Sequence, residues 1–408
     1  MATPYLTSNG LIESIKRKIS FPIAQATFSE EDILKFANEE LMIQQVPSVL
    51  SFHEEYYVTT EIVPLEANKS RYEIPSRAVG MRLRDIFWQD SNGNLNEMTR
   101  VSSEDRAYYQ RNSGANQAIH KFYPEGNDIV LVPSPTDSPT GSLVFVYFIR
   151  PNQLVLDERA AIVSSFCSKL TVVNANIVAG DTVSISGVTF TAVAGAPSTN
   201  QFQIGGTSII TATNLATAIN TNGIVSASNG SPSTAIVTAD FSDISLVFST
   251  SNSLGFVVST KKCIDFESIP SHIVNGSIVD FLQTKGGHQI RNYDVIIPSN
   301  GISGTAIEFE SEDVPDNLLI GDYICLANEC IIPYLPDDLH SGLAERTCAR
   351  ILAALGDQEG LAATMAKIQE IEVRQGTLLD NRVEGAPQKI VARHSILRYG
   401  KMGSNRRS

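Results

Sequence analysis

Positive charge is in short supply in this sequence: 31 Lys and Arg stand against 44 Asp and Glu, a formal net charge of −13. Sequence-independent nucleic-acid binding needs clustered cations to neutralise phosphates, so the chain as a whole does not fit that class. An acidic wall does suit a passage that DNA must traverse without being held, because it repels the phosphate backbone. Cysteine is also sparse. Five residues at irregular spacing argue against a disulfide framework and for free, mostly buried thiols in a reducing compartment. No apolar run approaches the roughly 18 residues of a membrane span, and the opening MATPYLTSNGLIESIKRKIS lacks the basic-then-apolar order of a secretory signal. Neither membrane nor export is expected.

Catalytic signatures are missing as well. The sequence holds no G-x-S-x-G, no P-loop and no G-x-G-x-x-G after a strand. Of the histidines His53, His120, His272, His288, His340 and His394, no two stand at metal-ligand spacing with a cysteine or carboxylate on one helical face. Cys325 and Cys330 form a lone C-x4-C that reads as two core thiols. TKGGHQIR reads as a turn tip between strands, and Glu54 and Glu55, being adjacent, point apart on a helix and read as a solvated face. No cofactor and no metal are expected, and no enzyme.

What is present is enough apolar residue, 42% of the chain, for more than one core. Charge patterning divides it. Between Leu170 and Thr260 the charged residues are Asp181, Asp240 and Asp243, whereas both flanks are ordinarily charged. That stretch alternates as short strands (DTVSISGVTFTAVA, QFQIGG, TAIVTA, ISLVFSTS) with one helix at TATNLATAINT, and predicts an inserted β-sandwich-like module. Cys167 and Cys263 bracket it; their spacing leaves a disulfide open, while the compartment argues against one.

The flanks read as two parts of one interrupted domain. TSNGLIESIKRKIS predicts a short helix. The segment from Thr27 opens a helix pair at Ser29, with Asp32 three residues on as a variant capping box, and carries Ile33, Phe36, Ala37, Leu41, Val49, Leu50 and Phe52 as one stripe across a kink at Pro47. YEIPSRAVGMRLRDIFWQD marks strand, turn and strand, with Trp88 before the turn DSNGN. GSLVFVYFIRPNQLVL, RAAIVSSF, CIDFESIP, SIVDFLQTK and NYDVIIPS are extended. A C-terminal helical hairpin starts with Pro336 at its first position, buries Leu339, Leu343, Thr347, Ile351 and Leu355, breaks at Gly356 and Asp357, and continues through Leu361, Met365, Ile368, Glu372 and Leu379. The fold class is α+β: an α-helical bundle of the N-terminal helices and this hairpin, with a β-rich region between. The expected units are 1–169 with 261–384 as the main core, 170–260 as the insert, and 385–408 as an extended basic arm holding six Lys or Arg and no acid.

The N-terminal pattern LIESIKRKISFPIAQATFSEEDILKFANEEL...VPSVLSFHEEYYV and the C-terminal pattern LPDDLHSGLAERTCARILAALGDQEGLAATMAKIQEIE...LLDNRVEGAPQKIVARHSILR resemble head-to-tail connector (adaptor) proteins of tailed bacteriophages. The stretch AGDTVSISGVTFTAVAG...ATNLATAIN departs from a plain adaptor and resembles small β modules of phage virion proteins. The resemblance implies a homo-oligomeric ring, a dodecamer, below the portal protein in the neck of a virion assembled in the host cytoplasm. It implies tail, nozzle or neck proteins on the other side, and genomic DNA passing through the lumen during packaging, retention and ejection without sequence-specific binding. It further implies that the arm docks into clefts of the portal. Lys389, Arg393, Arg398, Lys401, Arg406 and Arg407 would then meet portal carboxylates, and Ile390, Val391, Ile396, Leu397 and Tyr399 would supply apolar anchors. Competing readings are a host-surface binder that uses the insert, whose aromatics are five phenylalanines with no Trp or Tyr; a neck-associated wall hydrolase; and a DNA-binding tail.

Overall fold

The computed structural model describes residues 7–19, 28–52, 55–102, 104–105, 121–135, 140–173, 176–185, 188–222, 227–229, 236–239, 244–247, 256–258, 261–284 and 288–378. The chain is α+β, as its patterning predicts. Helix α1 (Ser8–Lys18) begins where the Thr7 side chain accepts from the Gly10 amide, and it buries Leu11, Ile12 and Ile15 on one face. Helix α2 (Glu30–Glu40) begins with the expected box: Ser29 accepts from the Asp32 amide, and the Asp32 carboxylate accepts from the Ser29 amide. Pro47 has no amide hydrogen to donate, and the chain meets it with a π-helical turn, Leu41–Gln45, before α3 (Val46–Phe52). The kink is therefore a local unwinding, and Ile33, Ala37, Leu41 and Val49 still form one buried stripe. The helical reading was too long at its end, since residues 55–57 form a turn and strand β1 (Val58–Pro64) follows.

Next come β2 (Arg71–Glu73), β3 (Ala78–Gln89), β4 (Leu95–Glu97), β5 (Lys121–Glu125), β6 (Asp128–Val132), β7 (Ser142–Ile149) and β8 (Gln153–Leu154). They make an antiparallel sheet ordered β1-β7-β3-β4 and a smaller one ordered β2-β6-β5. The β3–β4 hairpin turns on Asp90, whose carboxylate accepts from the Asn92 and Asn94 amides, and it sets Trp88 opposite Asn96. β7 is interior to its sheet and almost wholly apolar, which fits a strand covered on both faces.

β9 (Ala161–Val172) leads into the charge-poor stretch. There β10 (Thr182–Ile185), β11 (Val188–Val193), β12 (Gln201–Gln203), helix α4 (Ser208–Asn222), β13 (Ala227–Asn229), β14 (Ile236–Ala239), β15 (Ile244–Val247) and β16 (Phe256–Val258) follow in turn. β12-β11-β10-β15 form one sheet, and α4 packs against strands of it and against β13, β14 and β9. β17 (Lys262–Phe266), β18 (Ile278–Leu282), β19 (Ile290–Ile296), β20 (Ile302–Ser303), β21 (Ala306–Phe309), β22 (Tyr323–Leu326) and β23 (Glu329–Cys330) complete the strands. The large sheet runs β19-β18-β22-β9-β17-β21-β20, with β14 and β16 also paired to β9. β9 is shared: its beginning pairs with β22, its middle with β17, and its far end with β14 and β16.

The C-terminal hairpin is α5 (His340–Leu355) and α6 (Gln358–Leu378). Pro336 precedes a 3-10 turn, Asp337–Leu339, one step before the helix proper, instead of standing at its first position. Gly356 closes α5 in the left-handed region at φ 77, as the break at that position predicts. α5 packs against α1, α2 and α6. In α6, Ile368 is buried, Met365 is 46% exposed, and Leu379 lies outside the described residues.

Three large apolar cores form among the described residues, beside two smaller clusters. The largest joins α1, α2 and α5 to the β1-β7-β3-β4 sheet through Leu11, Ile33, Phe145 and Leu343. A second lies between β9, β17, β18 and β21 around Phe266, Phe281 and Phe309. The third, around Phe190, Phe202, Leu215 and Ile219, belongs to the charge-poor stretch. Cys325, Cys330 and Cys348 are buried free thiols, but Cys263 is disulfide-bonded, which corrects the expectation of free thiols throughout. Strand pairing is the reason compartment arguments missed it: the β9–β17 ladder places Cys167 directly across from Cys263.

Two glycines test this backbone. A Cβ at Gly356 meets nothing within 4 Å, so Gly356→Ala should carry only the left-handed backbone cost of about 1 kcal/mol. At Gly141, φ is 95 and a Cβ would stand 2.1 Å from the Gln89 carbonyl oxygen, so Gly141→Ala should cost at least about twice as much, because the β3–β7 edge must shift. Urea unfolding midpoints of the two variants check the ranking.

Candidate functional site

Arg77, the residue before β3, is heavily connected among the described residues, and its guanidinium is buried. All five of its N–H donors are used. Nη1 and Nη2 donate to Asp280 at 2.9 and 2.8 Å, Nε and Nη2 donate to Asp294 at 2.9 and 2.7 Å, and Nη1 also reaches Asn152 Oδ1 at 3.2 Å. Two carboxylates are thus gripped by one fork, the geometry that gives Arg its strongest pairs. Asp280 is fully buried on β18, and it also accepts from Asn152 Nδ2 at 2.7 Å and from the amides of Asp294 and Asn328, both at 3.0 Å. Burial works against the Arg77 charge, but its bonds to Asp294 and the Asp280 charge outweigh that and raise its pKa.

Local backbone irregularity aims these groups. The β18–β19 register shifts between Val279 and Phe281, where Val279 faces Val295 but Phe281 faces Asn292. The extra β19 residue is taken up at Asp294, at φ 57, and its carboxylate turns to Arg77. Tyr293 beside it lies under the Arg77 guanidinium, 5.1 Å from centroid to cation, and its hydroxyl meets that of Tyr147 at 2.8 Å. Burial, followed by the Tyr293 hydroxyl, pushes the Tyr147 phenol far above its ordinary range, so it stays neutral. This knot ties β3, β7 and the segment before β8 to β18 and β19. It is closed and satisfied, and its chemistry is structural.

A second cluster lies where the β18–β19 connection meets the start of α5. His288 Nε2 stands 2.5 Å from Asp337 Oδ1, the His288 and His340 rings are 5.2 Å apart, and His340 Nε2 donates to the Leu335 carbonyl at 3.2 Å. Both histidines are buried. Burial, then the neighbouring His288, lowers His340 to about 4, and burial lowers His288 although Asp337 pulls the other way. Both imidazoles are neutral near pH 7. Among the described residues, these three are a group whose ligand atoms all lie within 4.8 Å of one another. His288, in the connection TKGGHQIR between β18 and β19, is folded inward at φ 52.

Charged pairs also join the helices. Glu40, buried on α2, accepts from Arg350 of α5, whose Nη1 reaches Glu39 at 2.5 Å, and Arg346 of α5 pairs with Glu372 of α6. Asn38 on α2 holds β8 from both sides, accepting from the Leu154 amide at 2.7 Å and donating to its carbonyl at 3.1 Å. Cys325 and Cys330 sit buried in β22 and β23, as core thiols. Glu55 is exposed. The residues assigned to the docking arm, Lys389 to Arg407, lie outside the described residues.

Sequence reasoning missed both clusters. One signal was available: Asp280 is an acid inside IVDFL, a run otherwise apolar enough for an interior strand, and a buried acid requires a buried partner. Nothing in the sequence points to Arg77 as that partner, 203 positions away. Arg77→Ala strands a fully buried carboxylate and should cost about 3–5 kcal/mol. Asp280→Asn made alone should also destabilise, and the double variant should cost less than the two single losses combined, because each single change leaves the other group unpaired. Urea unfolding of the four proteins measures the coupling.

No curated protein matches the chain. Residues 9–168 match the family model described as SU10 adaptor protein. The match takes in α1 to α3, the β1-β7-β3-β4 sheet, Arg77, Asn152 and the first part of β9, and it stops before the charge-poor stretch. The adaptor resemblance is thus borne out over residues 9–168, which are similar to phage head-tail adaptors of that family.

Proposed function

We propose that the protein is a structural virion protein that forms a ring of twelve copies beneath the portal, joins capsid to tail, and gives DNA a conduit for packaging, retention and ejection. The observation that carries this reading is the adaptor family match over residues 9–168. In it, α1 to α3 and the α5–α6 hairpin form a helical bundle facing the portal, and the β region faces the tail. Packing of α5 against α1 and α2 supports that grouping, and Met365 and Val373, exposed on α6, offer apolar surface to a neighbouring copy. The net charge of −13 suits a lumen that lets DNA slide without holding it. No helix among the described residues is long and apolar enough to cross a membrane.

The chain divides, in this reading, into an adaptor core (1–169 with 261–384), an inserted β-sandwich-like module (170–260) and a portal-docking arm (385–408). A core of its own around Phe190, Phe202 and Leu215 supports the module. The arm lies beyond Ile368, the last buried apolar residue among the described ones. Its apolar anchors carry most of the affinity and its cations the steering, since exposed charge pairs give about 0–1 kcal/mol each and a buried anchor about 1.5–3.

Removal of residues 388–408 should leave circular dichroism and unfolding unchanged while abolishing or greatly weakening binding to the cognate portal protein in a pull-down or by calorimetry. Replacing Ile396, Leu397 and Tyr399 by Ala should weaken binding more than replacing Arg406 and Arg407, whose loss should chiefly slow association at low salt. Equal affinity of truncated and full chains would remove the arm from the mechanism. Replacing 170–260 by a short Gly-Ser link should leave the remainder soluble and cooperatively folded; an insoluble product would make the module part of the main core.

A further inference from the structure

We propose that His288, Asp337 and His340 form a binding site for one divalent transition-metal ion of the zinc class, which staples the β18–β19 connection to the start of the C-terminal hairpin. Asp337 and His340 are three positions apart across a 3-10 turn that runs into α5, so both project to the same side. The fold delivers His288 from a different segment, 49 positions earlier. All three ligand atoms lie within 4.8 Å of one another, close enough for a single ion to collect them after small rotations.

One ring nitrogen of His340 is already committed to the backbone. A carbonyl oxygen can only accept, so the bond from His340 Nε2 to Leu335 fixes that ring's hydrogen on Nε2 and leaves the Nδ1 lone pair as its ligand atom. His288 is also in contact with the Gln283 backbone, besides Asp337. With no ion bound, a neutral His288 carries its hydrogen on Nε2 and donates it to the Asp337 carboxylate. An ion entering there moves one hydrogen from Nε2 to Nδ1 within a neutral ring, and no net proton is released. His340 would then have its outer nitrogen on a backbone carbonyl and its inner one on the metal, the usual support for a histidine ligand. His288 is held at φ 52, an uncommon conformation for a side-chain-bearing residue, at the point where its ring enters the cluster. Two imidazoles and one carboxylate suit zinc and its neighbours and not calcium or magnesium, which prefer all-oxygen shells. Asp337, the partly exposed member, leaves room on its side for a water as fourth ligand.

The test uses the full chain, stripped with chelator and titrated with Zn²⁺ or Co²⁺. Elemental analysis after dialysis should give one equivalent per chain, Co²⁺ should produce the visible absorption of a four-coordinate nitrogen-oxygen site, and Zn²⁺ should raise the melting temperature in a way EDTA reverses. His340→Gln and Asp337→Asn should each lower affinity by more than the roughly 10–100-fold typical of losing a supporting partner. Asp337→Asn sits at the partly exposed edge and keeps its shape, so it reports even if His340→Gln fails to fold. His272→Gln, at a distant histidine, should bind as the unaltered chain does. A folded, unaltered chain that retains no stoichiometric metal overturns the proposal. So does metal uptake that is undiminished in Asp337→Asn.

Discussion

The grip of Arg77 on Asp280 and Asp294 is the constraint around which the two main cores are assembled. Burying a guanidinium and a carboxylate is expensive, and it is tolerated only when every donor and most acceptor positions are filled. Here five N–H groups of Arg77 meet two carboxylates and an amide, and Asp280 receives five hydrogen bonds. Such closure cannot be assembled piecemeal. Arg77 and Asn152 come from the stretch that matches the adaptor family, while both aspartates come from beyond residue 260. The N-terminal region therefore depends on the later segment for the neutralisation of one of its buried charges, and the helices of the two chain ends face a similar mutual demand at Glu40, Arg346 and Arg350.

The sequence was most readable where structure is local. Ser29 with Asp32, the break at Gly356, the turn after Trp88 and the helix around Leu215 each follow from a few neighbouring residues whose hydrogen-bonding or conformational needs have one ready solution. Reading failed where partners are distant. No periodicity links residue 77 to residue 280, or His288 to Asp337, and register shifts such as the one at Asp294 leave no compositional mark. The helix pair stops short of Tyr56 and Tyr57, which are buried in a turn, with Tyr57 donating to the Tyr334 carbonyl at 2.9 Å. The expectation of free thiols used average compartment chemistry, and strand register decided otherwise at Cys263.

β9 is a mechanical link between the large sheet and the charge-poor stretch. Its hydrogen-bonded partners change along its length, from β22 and β17 on one side of the charge-poor boundary to β14 and β16 on the other. A strand that continues without a linker cannot swivel freely at the boundary. Ladder bonds run perpendicular to the strand, so a pull along β9 loads many of them side by side, in shear, instead of opening them one after another. Tension applied at residues beyond 172 would thus be passed into the sheet that carries Asp280, and from there to Arg77 and the helices.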